Sequence, residues 1–268
     1  MPPPQPTVYL HIGPPKTGTT YLQDVLWRNR RRLAKQGVGL PGSGQSDHFH
    51  AALDLRGIAF GGHNNPAVDG AWARLAGKAA GASSSKTVIS HELFAGADDE
   101  QISTAVATLA PSAVHVVYGA RDLARQLPAV WQESLKNRRS GRYGKFVTTA
   151  LGQDGTGSDA AFWRSQDAVE TLGRWSRHIP ADHVHVITLP QAGAPSSILW
   201  ERFCKALDID PVGYDLEVAR INSSLTVVEA EVLRRLNKAL PGDLDWPSYE
   251  RIVKHRFNLL AEERTPGK

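Results

Sequence analysis

The segment Thr7-Val8-Tyr9-Leu10-His11-Ile12-Gly13, followed by Pro14-Pro15-Lys16-Thr17-Gly18-Thr19-Thr20, constrains this chain more than any other. Its first half is β-branched, aromatic or aliphatic and breaks at Gly and Pro, which predicts a buried strand entering a loop. Beyond the loop, Leu22, Val25, Leu26 and Leu33 fall near helical spacing, Arg28, Arg30, Arg31 and Arg32 take the other faces, and Gly37 ends the helix. Thr19 or Thr20 is placed to cap it. A strand, a Gly-containing loop with a Lys and a helix start together make an anion cradle. The first N–H groups of a helix point outward and its dipole favours negative charge. Lys16 adds a full positive charge, Thr19 and Thr20 add hydroxyl donors, and Gly18 lets the backbone approach the anion.

The order within the loop argues against one class of phosphate binder. The nucleotide-hydrolase loop G-x-x-x-x-G-K-[ST] places Lys after the last Gly. Here Lys16 precedes Gly18 and no Gly-Lys-Ser/Thr occurs in the stretch.

Further along, residues 86–90, 114–118 and 183–189 read as strands. Residues 67–80, 98–109, 123–136, 162–177, 195–207 and 227–240 read as helices. Alternating strands and helices predict a three-layer α/β fold, a central parallel sheet flanked by helices around a P-loop-like cradle. Residues 37–66 are crowded with Gly, Pro, Ser, Asn and His, so a long loop insertion is expected there, with a short helix near residues 49–55. Nothing marks a linker, and residues 1–268 are read as one domain.

The bulk numbers set limits. Apolar residues make up 41% and charged residues 22% of the 268, as in a folded soluble core. The formal charge of +4 suits an anionic ligand but is too small and dispersed for a nucleic-acid binder. A single cysteine, Cys204, excludes an internal disulfide and a cysteine-based metal site, and its apolar helical setting predicts an inert buried thiol. The N-terminus lacks the charged-then-apolar pattern of a signal peptide, and no apolar run approaches the ~20 residues that span a bilayer. A cytoplasmic protein without a membrane anchor is expected.

Pro15-Lys16-Thr17-Gly18-Thr19-Thr20 resembles the P-K-[TS]-G-T-T segment of sulfotransferases that use 3′-phosphoadenosine 5′-phosphosulfate (PAPS). In that family the segment wraps the 5′-phosphosulfate. The family's second anchor is a strand ending in Arg with a Ser about two helical turns later, both holding the 3′-phosphate. Residues 114–121 supply the strand and Arg121, but Ala129 stands where the Ser would be, and Arg125, Gln132 or Ser134 can take its place. Residues 121–133, Gln166-Asp167 and Arg234-Arg235-Leu236-Asn237 resemble a bacterial, mainly actinobacterial, branch of the family. Relatives close a late basic loop over the nucleotide. Arg220 and Asn222 match it in position, Ser223 or Ser224 is placed to cap the last long helix, and the R-K-G motif of that loop is absent.

The resemblance implies transfer of a sulfuryl group from PAPS, the co-substrate, to a hydroxyl or amine of a small molecule or glycan, with no metal. The acceptor must lose a proton and the departing phosphate must be stabilised. Lys16 and the cradle suit the second task. For the base, Glu92 and His91 follow the second strand, at the edge where parallel sheets bind ligands, and His48 and His50 lie in the long loop. The family uses either His or Glu, so the choice stays open. His48, His50 and His91 lack the spacing of a zinc site. Two alternatives remain: a non-catalytic nucleotide- or sulfated-glycan-binding protein, and a P-loop kinase, for which Asp122 is the available Mg²⁺ holder.

Overall fold

The computed structural model describes residues 5–59, 65–153, 160–217 and 224–257. Five strands, β1 (Thr7–Gly13), β2 (Val38–Gly39), β3 (Lys86–Ser90), β4 (Ala113–Ala120) and β5 (Val184–Thr188), form one sheet in the order β2-β3-β1-β4-β5. Every pairing is parallel, so all five strands end on one edge. The helices are α1 (Thr19–Arg28), α2 (Arg30–Lys35), α3 (Gln45–Arg56), α4 (Ala71–Ala80), α5 (Asp99–Leu109), α6 (Leu123–Lys136), α7 (Tyr143–Ala150), α8 (Ala160–Gln166), α9 (Ala168–Ser176), α10 (Ser197–Leu207), α11 (Val227–Ala239) and α12 (Trp246–Tyr249).

The chain divides into two compact units, Met1–Arg121 with Arg164–Ala219, and Asp122–Trp163 with Arg220–Lys268. The first holds the sheet. Successive β1 side chains point to opposite faces. Val8, Leu10 and Ile12 join a core with Ala51 and Ala52 of α3, Trp72 and Leu75 of α4, Ile102 of α5 and Trp175 of α9. Tyr9 joins the opposite core with Leu22 and Leu26 of α1, Leu33 of α2 and Trp200 and Phe203 of α10. Burial on both faces explains why β1 reads as an unbroken apolar run. Truncating Leu10, which is fully buried, to Ala costs about 2–5 kcal/mol. Cys204 lies in the second core, where burial pushes its thiol up to about 12.

The second unit packs Leu135 of α6, Ala230 and Leu233 of α11, Tyr249 of α12 and Val253. Two buried polar groups there are paired: Asn237 donates to the carbonyls of Leu135 (2.7 Å) and Arg139 (2.8 Å), and the Tyr249 hydroxyl donates to Asn237 Oδ1 (2.8 Å). Gln132 is taken up by the backbone of Leu225, donating to its carbonyl and accepting from its N–H, each at 2.9 Å.

Four features differ from the sequence reading. The helix expected to run on to Gly37 stops at Asn29, whose amide donates to the carbonyls of Val25 and Asp215, both at 2.8 Å; this bonding to residue i−4 and to a loop splits α1 from α2. The helix expected over 162–177 is two helices, because Asp167 turns its carboxylate back onto the Glu170 N–H and caps α9. Within 37–66, a two-residue edge strand pairs with β3, and the helix runs the full Gln45–Arg56 to a left-handed Gly57. Lastly, α11 is capped by Thr226 in a capping box with Glu229, where Ser223 or Ser224 was expected.

Candidate functional site

The cradle lies where β1 ends, between the ends of β3 and β4. Its path needs unusual backbone: Gly13, Lys16 and Gly18 have φ of 89°, 69° and 78°. A Cβ on Gly13 would sit 2.7 Å from Glu92 Cβ and 2.8 Å from its Cα. A Cβ on Gly18 would sit 2.5 Å from Leu199 Cδ2 of α10. Gly13 therefore requires glycine for conformation and for space, while at Gly18 the positive φ demands it and the flexible tip of Leu199 can yield. Lys16 holds a left-handed conformation with a side chain, the kind of strained residue that clusters at functional sites.

Two hydrogen bonds fix the loop. The buried Thr17 hydroxyl donates to the Pro14 carbonyl at 2.6 Å, and Arg121, at the end of β4, donates from Nη1 to the Lys16 carbonyl at 2.9 Å. Gly119 makes room for the first of these, since a Cβ there would meet Thr17 Oγ1 at 2.7 Å. Thr19 and Thr20 are the first two residues of α1, and the cap position belongs to Gly18. That corrects their expected capping role. Gly18 brings no side-chain acceptor to the first turn, so the outward N–H groups there are not capped by its own side chain. A Gly-lined loop at a helix start, with Lys16 in it and Arg121 bonded to it, suits an anion.

The four base candidates separate. His48 is 1% exposed, and both its ring nitrogens are engaged by main chain: the Ser90 N–H donates to Nδ1 at 3.1 Å and Nε2 donates to the Pro41 carbonyl at 2.8 Å. Burial holds its pKa down, to about 4. His48 is a structural tie between α3, β3 and the loop at Pro41. His91 uses Nδ1 to accept the Leu93 N–H at 3.2 Å, capping the 3₁₀ turn Glu92–Gly96, and burial lowers its pKa too. His50 meets Asn65 Nδ2 at 3.3 Å through Nε2. Glu92 packs directly on Gly13 of the cradle.

Sequence reasoning passed over a buried polar group beneath this edge. His11 Nδ1 bonds Ser90 Oγ at 2.8 Å, and burial depresses the pKa of His11 to about 3. Gln23 of α1 reaches Ser90 and Glu92. The available signal was a His and a Gln at positions that periodicity assigns to the core.

In the second unit, Arg125 ion-pairs with Asp122, and Ser134 donates to the Trp131 carbonyl at 2.7 Å. Asp122 caps α6 through the Arg125 N–H at 3.0 Å, and its hydrogen bonds to Arg125 hold its carboxyl below the usual range. In this structure it is engaged by Arg125. Arg220 lies outside the described residues. Among the described residues, no three His, Cys, Asp or Glu side chains are grouped to hold a metal ion, and no helix is long and apolar enough to cross a membrane.

No protein-family model matches the chain, and no curated protein matches it. Among solved structures, a sulfotransferase from Alicyclobacillus acidocaldarius superposes with a TM-score of 0.50 at 10% identity, over 80% of this chain and 85% of its own. The fold is of the sulfotransferase type.

Proposed function

We propose that this protein is a PAPS-dependent sulfotransferase that sulfates a hydroxyl or amine of a small molecule or glycan in the cytoplasm. The observation that carries the reading is the Arg121–Lys16 contact at 2.9 Å, which brings the cation ending β4 onto the loop that resembles the 5′-phosphosulfate segment. In this reading Pro15, Lys16, Thr17, Gly18, Thr19 and Thr20 receive the 5′-phosphosulfate, and Arg121 receives the 3′-phosphate.

Glu92 takes the role of base, because it packs on the cradle while His48 and His91 spend ring nitrogens on backbone. The acceptor hydroxyl gives its proton to the Glu92 carboxylate as its oxygen bonds to sulfur. The bond from sulfur to the bridging phosphate oxygen breaks, and that oxygen keeps the electron pair. Lys16 and the α1 N-terminus stabilise the charge left on the departing nucleotide.

Titration calorimetry with 3′-phosphoadenosine 5′-phosphate (PAP) tests the reading. Binding that Lys16→Ala and Arg121→Ala each weaken by about tenfold or more supports it, since each removes a charge-assisted contact. Heat with Mg²⁺–ATP and none with PAP overturns it. Transfer of [³⁵S]sulfate from PAPS to an acceptor panel, abolished in Lys16→Ala, separates an enzyme from a binding protein.

A further inference from the structure

Gln23 is a polar side chain on the core-facing side of α1, only 8% exposed and between the fully buried Leu22 and Leu26. An aliphatic side chain there would avoid the desolvation of an amide. Its Nε2 lies 3.3 Å from the Ser90 carbonyl, 3.4 Å from Ser90 Oγ and 3.5 Å from Glu92 Oε2. A primary amide has two N–H donors, and these acceptors at the end of β3 and on Glu92 are within their reach.

Ser90 is held from three sides. Its N–H donates to His48, its hydroxyl bonds His11 and its carbonyl accepts from Gln23. His11 and His48, both buried and with depressed pKa values, stay neutral around neutral pH. They fix the strand end without bringing charge to it. Among these side chains, Gln23 is the one that goes on to touch the Glu92 carboxylate.

Resting on the reading of Glu92 as base, we propose that Gln23 is a positioning residue whose amide N–H holds Glu92 Oε2, so that Oε1 faces the acceptor proton. The His11–Ser90–His48 ties keep Gln23 and Glu92 in register. Gln23 itself touches no substrate.

The test is a double-mutant cycle of Gln23→Met and Glu92→Gln, using an acceptor from the panel that the wild type sulfates. Gln23→Met keeps length and removes the N–H donors. Its kcat falls by about tenfold, the size of one hydrogen bond to a charged group, while KM for PAPS and PAP affinity stay within about twofold. In the Glu92→Gln background it lowers kcat no further. An equal loss in both backgrounds, or a wild-type kcat in Gln23→Met, overturns the positioning role and leaves Glu92 as base. A wild-type kcat in Glu92→Gln alone overturns the base reading and the positioning role with it. Gln23→Leu, of similar size and without the donors, repeats the cycle if the Met variant does not bind PAP. Crystal structures of the PAP complexes supply a readout independent of turnover. The Glu92 carboxylate leaves its place in Gln23→Met while the cradle stays fixed, and an unmoved carboxylate overturns the proposal.

Discussion

Gly13→Ala puts a single carbon into the tightest contact of the cradle. Two costs add. At φ of 89° an L-residue is strained by about 1–2 kcal/mol. The new Cβ also lands 2.7 Å from Glu92 Cβ and 2.8 Å from Glu92 Cα, atoms that cannot swing away as a flexible side-chain tip would. Forcing that turn to shift costs about a further 1–3 kcal/mol. The sum, about 2–5 kcal/mol, lowers the thermal midpoint by roughly 4–15 °C.

Two other glycines separate the terms. Gly57, at φ of 58°, has nothing within 4 Å of a built Cβ, so Gly57→Ala shows the strain alone, about 1 kcal/mol. Gly77, inside α4 and equally open, gains up to about 1 kcal/mol as Ala through helix propensity. Differential scanning calorimetry should rank the midpoints Gly77→Ala, wild type, Gly57→Ala, Gly13→Ala, and PAP titration should show lost affinity in the last alone. If Gly13→Ala melts with Gly57→Ala and binds PAP as the wild type does, Glu92 does not pack on the cradle as described.

Thr17→Val strips the buried Pro14 carbonyl of its donor and destabilises the protein by about 1–3 kcal/mol, measured as a shift in urea midpoint, with weaker PAP binding. Asn29→Ala removes the two donated bonds and the one accepted from the Asp215 N–H at 2.9 Å, and lowers the urea midpoint without altering PAP affinity, since it lies at the far end of α1. Stability should fall in acid. His11 and His48 have folded pKa values near 3 and 4 against 6.5 when free, so the unfolded chain takes up their protons first. Their contribution is complete above about pH 6.5 and is lost as pH falls toward 4, amounting to about 3 kcal/mol for His48. Urea melts of His48→Gln between those pH values should show a shallower slope than the wild type; equal slopes would remove His48 from the account.

Much of the frame was legible because local signals agreed with tertiary demand. β1, α5 and α6 appear within a residue of where period and caps put them, since each carries its own start signal or is apolar enough to be buried on both faces. β2 escaped notice because two residues carry no period, and the break at Asn29 depends on Asp215, far along the chain. At the candidate site, the strand, loop and helix start fall where the sequence places them. The choice among bases was not legible, because a histidine near a strand end looks the same whether it faces a ligand or ties backbone together. Only the partners Ser90 and Pro41 show that His48 does the second. Gln23 was hidden for a similar reason: it follows the core residue Leu22, and its partners Ser90 and Glu92 lie far along the chain.

The bond from Arg121 to the carbonyl of Lys16 makes one side chain answer for two properties. In the proposed function it carries charge toward the nucleotide, and in the structure it props the peptide of Lys16. Truncation at 121 deletes both together. Lysine at 121 would preserve the charge while surrendering the planar fork that lets a guanidinium serve main chain and ligand along separate N–H directions. Affinity lost in the lysine variant would thus measure how far the shape of the nest, apart from its charge, depends on the neighbouring strand.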